Sequence, residues 1–371
     1  MHKKEKCMLK KKIKLFDITI GKEEEEKIIK TIRSGFWASG AGTGLVNEFE
    51  KKFLKYTNAD ECIAVNSATS ALHLALSLLD IKGKEVVVPS LTFVATAHAV
   101  LYNGGIPVFA DVDPNNLCLD PVSVRKSLSK KTKVILPVHF GGMPANLNEL
   151  SKIAQENDLD IIEDAAHAAG TKYDTKKIGS HSSAVCFSFH PIKNLSTSSG
   201  GMISLNGKKT KENKEKLLSL RWFGISDRSG PKYDVSKLGW NYYMNEFAAA
   251  LGIVQLKKLD RHNKIRKKIS KRYFNEISLD RKMEFNNECS HHLYWIFVKN
   301  RDKFMKSMLE KGIETGIHYF PVHQMSYYND KKSLPNTIEA GKKIVTLPIH
   351  ANLTDGDIDY IVKHVNKFAE N

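Results

Sequence analysis

The chain has 371 residues, with a hydrophobic content of 42% and a charged content of 26%. These values are typical of a soluble globular protein, and the length favours two domains over one small core. The net charge of +16 comes from lysines spread over most of the sequence, without the aromatic-and-basic alternation or Cys/His finger of a nucleic-acid-binding protein. We interpret the charge as a solvated surface, with attraction of a phosphorylated small substrate as the alternative.

The distribution of cysteines and apolar segments bears on location. Five scattered cysteines show neither paired nor metal-ligand spacing, so we expect free thiols, no metal site and a reducing, cytoplasmic environment. Apolar runs are only about strand length, so no transmembrane helix is expected. Residues 1–14 are basic and lack the apolar run of a secretory signal; we predict a frayed tail.

Hydrophobic periodicity predicts the elements in chain order. A first helix is expected over 21–35, because Glu23 to Glu26 lie in its first turn and Lys30 and Arg33 near its end, as the helix dipole favours. From residue 60, β-branched runs of strand length alternate with helical stretches. The predicted strands are 62–65, 85–89, 107–112, 133–138 and 160–163, and the predicted helices are 68–79, 92–103, 121–129 and 146–157. This alternation predicts an α/β fold with a mostly parallel sheet covered on both faces.

The C-terminal third predicts a second, smaller α/β unit. A long helical stretch over 245–277 precedes a strand at 293–298, a helix at 301–311, a strand at 314–319 and a final helix at 355–368. We therefore divide the chain into a basic tail (1–14), a large domain (15–250), and a linking helix with a small C-terminal domain (251–371).

Two predicted strand ends carry candidate catalytic residues. Asp164 follows the apolar strand at 160–163, and Lys193 lies just after an apolar run at 186–189 that leads into small polar residues. Ligands of parallel sheets bind beyond the carboxyl ends of the strands. A partly desolvated lysine can form a Schiff base with an aldehyde cofactor, and an aspartate can pair with a pyridinium nitrogen. Taken alone, Lys193 would be interpreted as a surface lysine. Asp164 taken alone is as consistent with capping a neighbouring helix as with a catalytic role.

A hydroxyl-rich turn over 66–72 offers a phosphate site. The free N–H groups of a helix start, with the hydroxyls of Thr69 and Ser70, can hold a phosphate, and Ser188 could add another hydroxyl. The alternative is ordinary helix capping by Ser67.

Two further side chains have both a functional and a packing interpretation. His167 could bond a phenolic oxygen of a ring cofactor, or simply pack in the interior. Phe93 could stack on a flat ring, although a core phenylalanine is the default.

Ordered motifs from about residue 13 to 368 resemble one enzyme family. They are Ser39–Gly44 with Phe49-Glu50, Thr92–Thr96, Pro137–Gly142, Glu163–His167, Ser188–Asn194, Gly239–Glu246, Gly316–Tyr319 and Leu347-Pro348. Together they resemble the DegT/StrS-type sugar-nucleotide aminotransferases, a branch of the fold-type-I pyridoxal-phosphate enzymes. The resemblance implies a seven-stranded-type sheet and pyridoxal 5′-phosphate as cofactor.

The resemblance also implies residue roles. Lys193 would carry the Schiff base. The cofactor contacts would be Asp164 at the pyridine nitrogen, His167 at the ring oxygen, Phe93 on the ring face, and Ala68, Thr69, Ser70 and Ser188 around the phosphate. Asn241 would reach the phosphate from a neighbouring subunit, which implies a homodimer with shared active sites. The expected substrate contacts are Trp37, His318, Tyr319 and His323.

The implied activity is transamination. Some members replace the lysine with histidine and are dehydratases, whereas this chain keeps Lys193. We expect glutamate as donor and a nucleotide-linked 4-keto-6-deoxy sugar as acceptor. Four alternatives stay open. The acceptor could be a 3-keto sugar or a small phosphorylated ketone, and the protein could instead be a non-catalytic cofactor-binding regulator or a basic nucleic-acid-binding protein. The acceptor is open because Tyr243 stands where arginine is frequent and Thr197-Ser198-Ser199 replaces the common Thr-Gly-Glu.

Overall fold

A seven-stranded sheet forms the centre of the fold in this computed structural model, which describes residues 12–369. Its strands are β1 (Glu61–Val65), β2 (Glu85–Pro89), β3 (Ile106–Ala110), β4 (Thr132–Ile135), β5 (Asp160–Asp164), β8 (Ala184–Ser188) and β9 (Gly201–Leu205), with two short strands, β6 (Lys172–Tyr173) and β7 (Lys176–Lys177), forming a separate hairpin. The order across the sheet is β1-β9-β8-β5-β4-β2-β3. Only β9 among these seven runs antiparallel to its neighbours, β1 and β8, so the predicted mostly parallel sheet is confirmed.

Helices cover both faces of the sheet. In the large domain they are α1 (Lys22–Ser34), α2 (Leu45–Thr57), α3 (Ala68–Leu76), α4 (Ala95–Tyr102), α5 (Pro121–Ser127), α6 (Leu147–Glu156) and α7 (Thr210–Leu220), with a 3₁₀ turn at Phe140–Gly142. One apolar cluster packs α3 and α4 against one face, and another packs α2 and the long helix over residues 246–276 against the other. The strands that lie between them therefore consist almost wholly of buried residues.

A linking helix and a small C-terminal unit complete the chain. The elements are the hairpin β10 (Ile225–Ser229) and β11 (Lys232–Val235), the 31-residue helix α8 (Glu246–Glu276), β12 (Tyr294–Phe297), α9 (Arg301–Glu310), a 3₁₀ turn (Val322–Gln324), α10 (Pro335–Lys343), β13 (Ile344–Leu347) and α11 (Asp355–Ala369). Strands β12 and β13 pair antiparallel.

The C-terminal unit differs from the prediction at one strand. Residues 314–319 do not form a strand; only Gly316 pairs, in an isolated bridge with Thr346. The partner of β12 is instead β13, which sequence analysis did not predict, and α10 before it was also missed. Pairing decides which short apolar segment becomes a strand, and pairing is a tertiary property.

The predicted tail overlaps ordered structure at its end. Residues 1–11 lie outside the described residues. Ile13 is buried, its N–H donates to the Gly312 carbonyl, and its own carbonyl accepts from Glu314 N–H. This segment is therefore an edge of the C-terminal unit rather than a tail. The division into domains at residue 250 stays a prediction.

None of the helices within residues 12–369 is long and apolar enough to cross a membrane.

Candidate active site

A cavity of about 350 Å³ opens at the carboxyl ends of β5 and β8. Nine of the residues predicted for the site line it, namely Ala68, Thr69, Phe93, Asp164, His167, Ser188, Lys193, His318 and Tyr319. These residues come from five separate stretches of the chain: 68–69, Phe93, 164–167, 188–193 and 318–319. The fold thus brings together the side chains that the sequence singled out.

Lys193 lies in the loop between β8 and β9, and hydrogen bonds within the loop hold its backbone. Its N–H donates to the His190 carbonyl at 2.8 Å, and its carbonyl accepts from Ser196 Oγ at 2.6 Å. Burial lowers the pKa of the Lys193 amine to about 8, although the charge of Asp164 partly opposes the shift. The neutral, nucleophilic amine is therefore accessible near neutral pH.

Asp164 ends β5 and is buried, with both carboxylate oxygens occupied. Oδ2 accepts from Thr96 Oγ1 at 2.8 Å and Oδ1 accepts from Ala166 N–H at 3.0 Å. Burial raises the pKa of Asp164, while these hydrogen bonds and the charge of Lys193 favour the ionised form. A buried carboxylate with its orientation held at both oxygens is suited to pair with a cationic ring nitrogen.

His167 is buried three residues after Asp164, and its hydrogen bonds define its tautomer. Gly141 N–H donates to Nδ1 at 3.2 Å, so the ring proton is on Nε2, which donates to Tyr319 Oη at 3.0 Å. Burial lowers the pKa of His167 well below its ordinary value. The imidazole is therefore neutral and presents an N–H donor on the cavity side.

The phosphate turn predicted over 66–72 is present at the start of α3. Ser67 caps the helix by accepting from Ser70 N–H at 3.1 Å, and Ser67, Ala68 and Thr69 line the cavity. A Cβ added to Gly201 would lie 2.5 Å from the Ser67 carbonyl oxygen, so only glycine lets β9 approach this turn. The first N–H groups of α3 therefore face a cavity with a preformed anion-binding geometry.

Four predicted site residues do not line the cavity. Ser70 is buried, and its Oγ donates to Asn66 Oδ1 at 2.6 Å. His323 is also buried, with Nδ1 2.6 Å from Ser90 Oγ. Trp37 is 52% exposed and donates to the Ile32 carbonyl, and Asn241 is exposed on the surface. In a single chain, these four are therefore not positioned to touch a ligand in the cavity.

Two residues that hold the catalytic side chains in place were not predicted from the sequence. Thr96 lies within a quoted motif, but nothing in the sequence shows that its hydroxyl bonds Asp164. Asn194, beside Lys193, donates to Asn263 Oδ1 and to the Ser290 carbonyl, both at 2.9 Å. The lysine loop is thereby tied to α8 and to the C-terminal unit, a contact between segments distant in sequence.

The profile of the DegT/DnrJ/EryC1/StrS aminotransferase family matches residues 18–366. The chain belongs to this family. A curated relative, the spore coat polysaccharide biosynthesis protein SpsC of Bacillus subtilis, is 34% identical over 376 residues, covering 95% of each chain.

Solved structures agree with this assignment. Spr1654 of Streptococcus pneumoniae, known in PLP, PMP and apo forms, is 26% identical with a TM-score of 0.92 over 97% of this chain and 98% of its own in its PMP form. PseC of Helicobacter pylori, an aminotransferase involved in pseudoaminic acid biosynthesis, is 25% identical with a TM-score of 0.90, over 97% of this chain and 100% of its own.

The protein is thus a pyridoxal-phosphate-dependent sugar aminotransferase of fold type I. Its own residues fit the cofactor: a lysine with a depressed pKa, a buried carboxylate and a helix N-terminus all border one cavity. Among the described residues there is no cluster of three or more side chains suited to hold a metal ion.

Proposed function

We propose that this enzyme transfers the amino group of glutamate to a nucleotide-linked 4-keto-6-deoxy sugar, producing an amino sugar for surface-glycan synthesis. The observation that carries the proposal is the shared cavity of Lys193, Asp164 and the N-terminus of α3. The relatives support the acceptor class, because SpsC is named for spore coat polysaccharide and PseC for pseudoaminic acid biosynthesis.

The residues would hold the cofactor as follows. The phosphate would lie at the first N–H groups of α3, with the hydroxyls of Thr69 and Ser188 nearby, since both residues line the cavity. Asp164 would pair with the pyridine nitrogen, His167 would donate to the ring oxygen, and Phe93, 60% exposed beside the cavity, would stack on the ring.

Bound pyridoxal phosphate supplies an electron sink and carries the amino group between the two half-reactions. Lys193 would be the residue to which the cofactor is attached, and a donor amine would take its place there. The freed Nζ would then accept the proton from the α-carbon of the donor as a general base and, as an acid, give it back on the cofactor side. A pKa lowered by burial to about 8 suits Nζ to both roles near neutral pH. The negative charge of Asp164 would keep the ring nitrogen protonated.

We further propose that the active unit is a homodimer and that Asn241 reaches the cofactor phosphate of the partner subunit. Asn241 is exposed, and large apolar side chains on the same chain are also exposed, including Trp37 at 52%, Phe223 at 48% and Leu238 at 86%. Phe223 lies beside Asn241, since its N–H donates to the Trp240 carbonyl, and Leu238 is three residues before Asn241. In such a dimer the partner would cover these exposed apolar side chains.

The test is the visible absorption of the purified protein with pyridoxal phosphate, before and after glutamate is added. We expect a band from lysine-bound cofactor that bleaches with glutamate and returns on addition of the acceptor. A band that ignores glutamate would reject glutamate as donor. No band at all would reject the role of Lys193.

The acceptor is then identified by which ketone restores the band. The panel contains nucleotide-linked 4-keto-6-deoxy sugars, their 3-keto isomers, and dihydroxyacetone phosphate as a small phosphorylated ketone. Recovery with a 3-keto sugar or with dihydroxyacetone phosphate alone would overturn the proposed acceptor while leaving the transaminase chemistry in place.

A further inference from the structure

A buried pair of side chains lies behind Asp164, on the opposite face of β5. Glu163 and Asp164 are consecutive residues of one strand, so their side chains point to opposite faces. Asp164 lines the cavity, whereas Glu163 has an exposed fraction of 0% and lies 2.8 Å, Oε2 to Nε2, from His139, also 0% exposed.

Hydrogen bonds determine the charge of this pair. Ala145 N–H donates to His139 Nδ1 at 3.1 Å, so Nδ1 carries no proton and Nε2–H must be the donor to Glu163. The second oxygen of Glu163 accepts from Ser182 N–H at 2.9 Å. Burial raises the pKa of Glu163. The hydrogen bonds from His139 and Ser182, together with the positive charge that His139 and His181 carry when protonated, lower it, and the pKa lies below its ordinary value. A neutral imidazole beside an ionised carboxylate gives the pair a net negative charge.

Among the described residues, no lysine or arginine forms an ion pair with Glu163. Within residues 12–369, His139 is the only basic side chain in ion-pair contact with Glu163. His181 also lies near, but its Nε2 bonds the Tyr173 carbonyl at 3.1 Å, which makes that nitrogen the donor. Burial first, and then the charges of Asp164 and Glu163, raise the pKa of the Cys186 thiol well above its ordinary value.

The same histidine also holds the backbone of Asp164. His139 N–H donates to the Asp164 carbonyl at 3.1 Å, and Asp164 N–H donates to the Pro137 carbonyl at 2.9 Å. His139 thus bonds two consecutive residues of β5: its ring bonds the Glu163 carboxylate, and its backbone N–H bonds the Asp164 carbonyl. Movement of the ring would be transmitted to the carboxylate at the floor of the cavity.

We propose that Glu163 and His139 form an anionic dyad that positions Asp164 and adds a second negative charge beneath the pyridine ring. Both are positioning residues, since neither lines the cavity. The added charge favours the protonated ring nitrogen, because charges interact more strongly in a buried, low-dielectric site than in water. This inference rests on the placement of Asp164 at the pyridine nitrogen proposed above.

The test variant is Glu163→Gln, which removes the charge at nearly constant shape. In the apoprotein, we expect the Asp164 carboxyl to titrate at lower pH, as ¹³C NMR of labelled aspartate would show, because a like charge has been removed. In the loaded enzyme, the ¹⁵N resonance of labelled cofactor should move toward the unprotonated position. The glutamate half-reaction should slow about tenfold with KM unchanged, the equivalent of one pKa unit.

Three controls separate charge from packing. His139→Gln keeps the charge of Glu163 and a donor to it but removes the imidazole, so the ¹⁵N resonance should move less than in Glu163→Gln. Glu246→Gln alters another buried carboxylate, one that accepts from Leu45 and Val46 N–H at the start of α2, and should change none of these signals. Asp164→Asn should move the ¹⁵N resonance further than Glu163→Gln does.

The outcomes that overturn the dyad are distinct. Unchanged apoprotein titration and ¹⁵N resonance in Glu163→Gln, with a shifted resonance in Asp164→Asn, would overturn the dyad alone. No shift in Asp164→Asn would overturn the cofactor placement as well. If Glu163→Gln does not fold, the ¹H–¹⁵N spectrum of wild-type His139 decides: a proton on Nε2 alone supports the dyad, and an imidazolium or Nδ1–H tautomer rejects it.

Discussion

The two sides of the cavity are built differently. On the cofactor side, Asp164 and His167 are each held by two hydrogen bonds, and the lysine loop is tied to its own backbone and to α8. On the substrate side, Trp37 is half exposed and does not line the cavity. The loop at 316–319 is held by the Gly316–Thr346 bridge, by the bond between His318 Nδ1 and Thr346 Oγ1 at 2.8 Å, and by the bond from His167 Nε2 to Tyr319 Oη at 3.0 Å.

This difference indicates that a single chain holds the catalytic groups in fixed geometry, whereas recognition of the acceptor depends on less constrained loops. Catalytic groups need fixed geometry, and rigid strand ends with satisfied hydrogen bonds provide it. Acceptor recognition can differ between members of a family through loops and a partner chain without disturbing that geometry. The predictions below test this division. Three of them measure the rate of the glutamate half-reaction, and one measures the rate of cofactor attachment.

Lys193→Ala should have the largest effect. It removes both the nucleophile and the proton carrier, so the half-reaction should fall by at least about 10,000-fold. Stopped-flow absorbance of the cofactor measures it. Lys214→Ala, which breaks the surface ion pair with Glu61, serves as control and should be near wild type. Appreciable turnover of Lys193→Ala without added amines would refute the assigned role.

Thr96→Val should have a smaller effect on the same side. It deletes the hydroxyl that donates to Asp164 Oδ2 while keeping the shape of the side chain. We expect about a tenfold slower half-reaction, because a hydrogen bond to a charged group contributes roughly 1.5–3 kcal/mol. Thr57→Val, which removes a buried hydroxyl bonded to the Phe53 carbonyl, is the matched control. Equal rates for the two variants would show that Asp164 does not depend on Thr96.

The rate at which pyridoxal phosphate attaches to the apoprotein should rise with pH and then level off above about pH 9. Burial lowers the pKa of Lys193 from 10.5 to about 8, so the reactive neutral amine predominates above that pH. Its fraction rises about fivefold between pH 7 and pH 8 and changes little above about pH 9. Mixing apoprotein with pyridoxal phosphate across this range measures the rate. A rate that keeps rising tenfold per pH unit up to pH 10 would mean an ordinary, exposed lysine.

Trp37→Phe should have the smallest effect on this half-reaction, within about twofold, as is usual for surface substitutions. Its consequence should appear instead as a higher KM for the sugar acceptor. Steady-state kinetics with the acceptor varied would show the split. A large decrease in the rate of the glutamate half-reaction would show that Trp37 acts on the cofactor side and would contradict the division between the two sides of the cavity.

Much of the cofactor side was predictable because its signals are local. Strand periodicity, the hydroxyl-rich turn before α3 and the polar loop around Lys193 each lie within a few consecutive residues. The substrate side was predicted from the resemblance alone, and its roles stay predictions: His318 and Tyr319 line the cavity, whereas Trp37 and His323 do not. His323 is buried, with Nδ1 2.6 Å from Ser90 Oγ, and nothing in the sequence indicated this contact.

The sequence by itself determined the α/β class and the mostly parallel sheet, because hydrophobic periodicity is a local property of the chain. It also indicated Asp164 at a strand end and Lys193 in the loop after one, where ligands of parallel sheets bind. Only the tertiary structure decided the contacts between distant segments: the β12–β13 pair, the hydroxyl of Thr96 on Asp164, and the His139–Glu163 dyad. These contacts depend on register and on which buried donors meet which acceptors, and no spacing along one chain encodes that.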